Sequence, residues 1–214
     1  PTDTRTLIPF LNTIEENFFE LPKYIVADAG YGSEANYEYI LSDKDCVPLI
    51  PYGMYEKEQT KKYKQDPFKT NNWIYDETSD SFVCPNQKRL NFSHQSTRKD
   101  KTGFVRHFDI YECEDCTDCP FRQACTKAEE GKNRKLAINR NWEKQKAYVQ
   151  DKLSDEKTAK IYAQRKIDVE PVFGFLKANL RWKRFSIRGK MKAKIELGIA
   201  LMASNIRKYA VQGV

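Results

Sequence analysis

The chain has 214 residues, 40% of them hydrophobic and 13% aromatic, enough for one sizeable domain with a packed core. Lysine and arginine outnumber aspartate and glutamate by 37 to 30, and the net charge of +7 is compatible with a polyanionic partner. No run of about 18 apolar residues occurs, which excludes a membrane-spanning helix, and six cysteines without a secretory leader argue against a disulfide scaffold.

The first residue is proline rather than methionine, which reads as the start of a piece of a longer protein. Leu7, Phe10, Leu11, Ile14 and Phe18 recur at helical spacing within residues 4–20, and Pro22 ends that segment. Tyr24-Ile25-Val26-Ala27 is a continuous apolar run, the pattern of a strand buried on both faces. It leads into Asp28-Ala29-Gly30-Tyr31-Gly32, a tight turn, after which Ser33 is placed to N-cap a helix through Leu41. A second strand is expected over Cys46–Pro51, with Cys46 a buried strand residue. This helix–strand–helix–strand order is that of an α/β core.

Beyond Tyr52 the chain is polar and lysine-rich over 54–70, a surface connection. Trp73–Tyr75 and Phe82–Cys84 flank a turn-rich stretch and predict a hairpin. A second hairpin is expected from the alternation at Leu90, Phe92 and His94 and at Phe104, Arg106, Phe108 and Ile110, with its turn over Arg98–Gly103. Residues 141–167 are polar, helix-favouring and free of glycine and proline, and Lys190–Ala210 carries Ile195, Ile199, Met202 and Ile206 at the spacing of a packed terminal helix. The expected organisation is an α/β core of residues 1–52 and 141–214, interrupted by a β-rich, cysteine-containing insertion over 53–140.

Three features carry chemistry. Asp28 follows a strand directly, where side chains of open α/β sheets converge, and its carboxylate suits a hard cation such as Mg²⁺; the alternative is a turn aspartate that only caps Gly30. Glu170 and Lys177 stand seven residues apart, two helical turns, and would share one helix face. Pro171 requires that the helix either restart at Glu170 or bend there. Cys113-x₂-Cys116-x₂-Cys119-x₅-Cys125 suits a tetrahedral Zn²⁺ site, with an iron–sulfur cluster and free thiols as alternatives, and Cys84 able to replace one member. His107 lies six residues before Cys113, but both it and His94 fit ordinary surface or packing positions better. Between Arg165 and Lys194 there are ten basic residues and two acids. Within that span Arg181, Lys183, Arg184, Arg188 and Lys190, around Trp182 and Phe185, are candidate phosphate contacts.

The segment Tyr24-Ile-Val-Ala-Asp28-Ala-Gly-Tyr-Gly-Ser33 resembles that around the second catalytic aspartate of the DDE transposases of bacterial insertion sequences. Glu170-Pro-Val-Phe-Gly174 with Arg184-Phe-Ser-Ile-Arg-Gly189 resembles the segment around their catalytic glutamate, and Tyr162, Arg165, Glu170 and Lys177 resemble a signature spaced along one helix, with one extra residue after Arg165. The resemblance implies a ribonuclease-H-like core, partial in this chain, and DNA cleavage and strand transfer through two Mg²⁺ ions held by Asp28, Glu170 and a third carboxylate. It further implies DNA as partner, a homodimer, and a cytoplasmic protein that is nucleoid-associated when bound. Asp3 is the sole acid ahead of the first helix and no strand precedes it, so the first aspartate is expected to be missing and the fragment to be inactive by itself. The competing function is a non-catalytic, zinc-containing DNA-binding or interaction module derived from a transposase. An iron–sulfur redox protein would leave both acidic motifs unexplained.

Overall fold

A computed structural model describes residues 3–212, with the side chains of Glu170 and Gln212 outside the described set. The chain divides into two compact units, residues 1–155 and 156–214, each described by itself.

The first unit opens with α1 (Leu7–Asn17), shorter at both ends than its apolar spacing predicts, with Leu7 and Leu11 buried one turn apart. Strand β1 (Tyr24–Val26) leads through a 3₁₀ turn at Ala29–Tyr31 into α2 (Glu34–Glu38), which a π-helical turn extends over Tyr39–Asp43. The Ser33 hydroxyl accepts from the Asn36 N–H at 3.4 Å, the expected N-cap. Strand β2 (Val47–Leu49) lies parallel to β1, pairing Tyr24 with Val47 and Val26 with Leu49. Only Ile25 of β1 is buried, so this strand is half-covered rather than enclosed on both faces. Cys46 is buried just ahead of β2, not within it.

Two short helices, α3 (Tyr55–Gln59) and α4 (Lys61–Lys64), form the lysine-rich connection. An antiparallel meander follows: β3 (Ile74–Asp76), β4 (Ser81–Val83), β5 (Arg89–Lys99), β6 (Val105–Cys113) and, after the single turn of α5 (Arg122–Cys125), β7 (Lys135–Ile138). Both predicted hairpins form. The β5–β6 strands run longer than their alternation suggests, so the turn is Asp100–Phe104, closed by Asp100 Oδ1 accepting from the N–H groups of Thr102 and Phe104. Trp73, Phe82, Leu90, Tyr111 and Leu136 form the core of this sheet together with Cys84, Cys113 and Cys116.

Helix α6 (Arg140–Ser154) completes the unit, N-capped by Asn139, whose Oδ1 accepts from Trp142 N–H at 2.9 Å. Tyr37 stacks on Trp142 with centroids 5.6 Å apart, Tyr52 meets the same ring edge-on, and the Tyr37 hydroxyl donates to Ile50 O at 2.7 Å. These contacts lay α6 against α2 and β2.

Glu34, only 5% exposed, lies at the centre of this arrangement. Its carboxylate accepts from Asn139 Nδ2 at 2.6 Å and Asn141 Nδ2 at 3.1 Å, and pairs with Arg106 Nε of β6 at 3.3 Å. One buried charge thus joins α2, the long hairpin and the start of α6, with its oxygens satisfied as a buried carboxylate requires.

In the second unit the helix-favouring stretch continues as α7 (Glu156–Asp168), separated from α6 by an extended Asp155. Helix α8 (Glu170–Ala178) restarts at Glu170 with Pro171 in its first turn, where the missing N–H costs nothing. Helix α9 (Lys190–Gln212) forms where expected, but Ile195, Ile199, Met202 and Ile206 are 57 to 69% exposed. Its apolar stripe is therefore not the packed face that its periodicity predicts. Contact with α8 is made instead by Arg207, whose guanidinium lies 4.4 Å from the Phe175 ring centre. No helix among the described residues is long and apolar enough to cross a membrane.

Gly32 sits where the chain passes Tyr52 in an isolated parallel bridge, and a Cβ there would come within 2.2 Å of Pro51 O and 2.8 Å of Tyr52 Cα. Backbone cannot swing aside as a side chain can. Gly32→Ala is expected to cost about 2–3 kcal/mol and lower the thermal midpoint by roughly 5–10 °C. Gly53→Ala, with nothing within 4 Å of the added methyl, should leave it unchanged; circular dichroism melts measure both. Glu34→Gln should cost about 3 kcal/mol in urea denaturation, because Arg106 loses its buried counter-charge and an amide donor now faces other donors.

Candidate active site

Asp28 is exposed two residues past the end of β1, and its Oδ1 accepts from Gly30 N–H at 2.9 Å. The capping role is therefore real, but it occupies one lone pair of a carboxylate that has about four. A neighbour that the sequence reading set aside lies beside it. Asp3 Oδ2 and Asp28 Oδ1 each lie 3.0 Å from the point a Gly30 Cβ would occupy, so two carboxylates meet over this glycine. Its absent side chain keeps that space open.

Tyr162 and Arg165 lie on α7, whereas Glu170 and Lys177 lie on α8. The four are thus spread over two consecutive helices rather than one, since Val169 departs from the helical run between Asp168 and Glu170. The Arg165 guanidinium stands 5.7 Å from the Tyr162 ring centre, a cation–π contact that pairs these two side chains. Lys177 is exposed in the last turn of α8. Asp28 belongs to the first unit and the other four residues to the second. The Glu170 side chain is outside the described residues.

The basic segment forms the loop between α8 and α9. Arg181, Lys183, Arg184, Arg188 and Lys190 are all exposed, and Arg181 takes a left-handed backbone conformation at φ 53°. Trp182 packs edge-on against Phe185 with centroids 4.9 Å apart, so these aromatics meet each other. Glu196 of α9 holds the loop: its Oε1 accepts from Trp182 Nε1–H at 3.0 Å and from Ser186 N–H at 2.9 Å. Sequence reasoning missed Glu196, although it is the sole acid after Glu170 and that isolation was a usable signal. The Ser186 and Trp182 hydrogen bonds draw its carboxyl below the usual glutamate range.

In the meander, Cys84, Cys113, Cys116, Cys119 and Cys125 all line one cavity of about 20 Å³. Burial pushes the Cys113 thiol up to about 12, and its Sγ–H donates to Asp115 O at 3.5 Å. Arg122 braces the adjoining loop through the carbonyls of Cys116, Glu129 and Lys132. The four cysteines predicted to bind zinc are not gathered at coordinating spacing: among the described residues, no group of three His, Cys, Asp or Glu side chains is positioned to hold a metal ion. That statement covers Asp28 as well. His94 and His107 are both exposed on β5 and β6.

Comparison with known families identifies this arrangement. Residues 83–210, more than half of the chain, match the model of the transposase DDE domain, and the chain belongs to that family. The matched span includes the cysteines, Glu170, Lys177 and the basic loop, while Asp28 lies upstream of it. No curated protein and no solved structure matches the chain.

A carboxylate whose pKa is lowered on folding contributes stability above its unfolded value and loses it as pH falls through the folded one. The Glu196 clamp should therefore hold the basic loop at neutral pH and release it below the ordinary glutamate range. In NMR titration the Trp182 indole N–H and the Ser186 amide should shift together on acidification, and in E196Q neither should titrate.

Proposed function

We propose that this chain is part of a DDE transposase acting on DNA by Mg²⁺-dependent strand cleavage and transfer, with Asp28 and Glu170 as two of the metal-binding carboxylates. The observation that carries this is the family match across Glu170, Lys177 and the exposed basic loop. Asp28 supports it from outside that span: it is exposed past the end of a parallel strand, offers the oxygen donors a hard cation selects, and has Asp3 beside it. The core is read as a partial ribonuclease-H-like fold, with the meander as its insertion, cross-linked by a zinc ion on cysteine ligands.

Mg²⁺ bound to these carboxylates would supply activation of the attacking oxygen and stabilisation of the leaving one. The residues of the chain do the rest. Lys177, two turns beyond Glu170 on α8, neutralises phosphate charge, while Arg165, backed by Tyr162, adds a fixed cation nearby on α7. Arg181, Lys183, Arg184, Arg188 and Lys190 contact the DNA backbone and set its register without reading sequence. A second copy of the chain is expected to take part when DNA ends are paired. No third carboxylate of this chain is assigned to the site, so we expect the chain by itself to bind transposon-end DNA without cleaving it.

Binding by the chain should fall linearly on a log–log plot against salt, and K183A and R184A should each reduce the slope by about one. In the transposase that carries this chain, D28N or E170Q should lower Mg²⁺-dependent cleavage at least about 100-fold with DNA affinity retained. Cleavage by D28N at the unsubstituted rate would overturn the assignment.

A further inference from the structure

We propose that the zinc ion of the insertion is bound by Cys84, Cys116, Cys119 and Cys125, and that Cys113, although part of the Cys-x₂-Cys-x₂-Cys run, is a buried packing thiol. This rests on the zinc reading of the insertion given above and assigns its ligand set.

Five thiols from three segments converge on one cavity of about 20 Å³, room for a single occupant of atomic size. Cys84 comes from the turn between β4 and β5, closed by Cys84 N–H to Lys88 O and Gln87 N–H to Cys84 O, both at 2.9 Å, with Gln87 left-handed at φ 57°. Cys116 and Cys119 flank a second tight turn, in which Asp118 is left-handed at φ 52°. Cys125 ends α5 on the opposite side. Two tight turns and a helix end thus present sulfur to a common point from widely separated positions in the chain, which is what a metal cross-link requires.

Donors suited to thiolates already face two of the four. Arg134 N–H lies 3.4 Å from Cys116 Sγ, and Arg134 Nη1 lies 2.8 Å from Cys125 Sγ. Four thiolates on Zn²⁺ carry a net charge of −2, and the Arg134 guanidinium, itself 4.6 Å from the Trp73 ring centre, offsets part of it. Leu90, Pro85 and Phe121 supply apolar wall. Cys113 differs. It lies at the end of β6 in register with Leu90, is 4% exposed, and spends its S–H on Asp115 O. A sulfur cannot donate that hydrogen and bind metal as a thiolate.

The sulfurs do not yet form a coordinating group, since no three ligating side chains among the described residues are so gathered. Each cysteine has one side-chain torsion ahead of its sulfur, and turning it inward closes the cage without moving the sheet. Coordination releases one proton from each of the four thiols to solvent.

The test is metal content of the whole chain purified anaerobically, with Co²⁺ exchange to count thiolate ligands. The unsubstituted chain and C113A should each hold one zinc per chain and give the same thiolate-to-cobalt absorption, whereas C84S should lose stoichiometric zinc. If C113A loses a thiolate from the cobalt spectrum, or C84S keeps both zinc and spectrum, the ligand set is wrong and the zinc reading stands. If the unsubstituted chain holds no zinc, both fall. Should C84S fail to fold, C113A decides the matter by its cobalt spectrum alone.

Discussion

The first unit is organised around one buried negative charge. Glu34 begins the helix that follows the Asp28 turn, and it takes hydrogen bonds from the residues that open α6 and an ion pair from the β5–β6 hairpin. An unpaired carboxylate in that position would cost several kcal/mol, so the three elements are held to a geometry in which each supplies a donor. The Asp28 turn inherits that rigidity through Ser33, which caps the same helix, and through Gly32, which allows the chain to pass Tyr52 at a distance no side chain would permit. The long hairpin is thereby tied to the segment that carries the candidate catalytic aspartate.

The second unit has a different economy. Most of its surface is exposed helix, and what shapes the basic loop is the single carboxylate of Glu196, set among lysines and arginines and engaged by an indole and a backbone amide. Holding the loop from behind leaves the five candidate phosphate contacts facing solvent, and it assigns Trp182 to structure. The wholly exposed charges suit contact with a phosphate backbone, whose affinity comes from releasing counterions and needs no pocket.

The meander shows why cysteines recur in it. Its core holds few large side chains, and three of its eight buried members are cysteines. A small sheet with so little apolar volume gains from a cross-link, and thiols set in tight turns at its end are the means by which such a sheet acquires one.

Local pattern was enough for much of this. The hairpins, the Ser33 cap, the restart of the helix at Glu170 and the basic loop were legible because each depends on residues close together in sequence: alternation, a hydroxyl before an apolar run, a proline that fits only a first turn. The family, too, was legible, from short segments around Glu170 and Arg184. What only the tertiary structure decided involves partners far apart in the chain. Glu34 meets residues about 70 to 105 positions away, Asp3 comes to lie beside Asp28, and Cys84 joins the later cysteines around one cavity. Helical spacing likewise revealed that α9 has an apolar stripe, but not that this stripe stays exposed. Periodicity records which side of an element is apolar; what covers that side is set by the packing of the whole molecule.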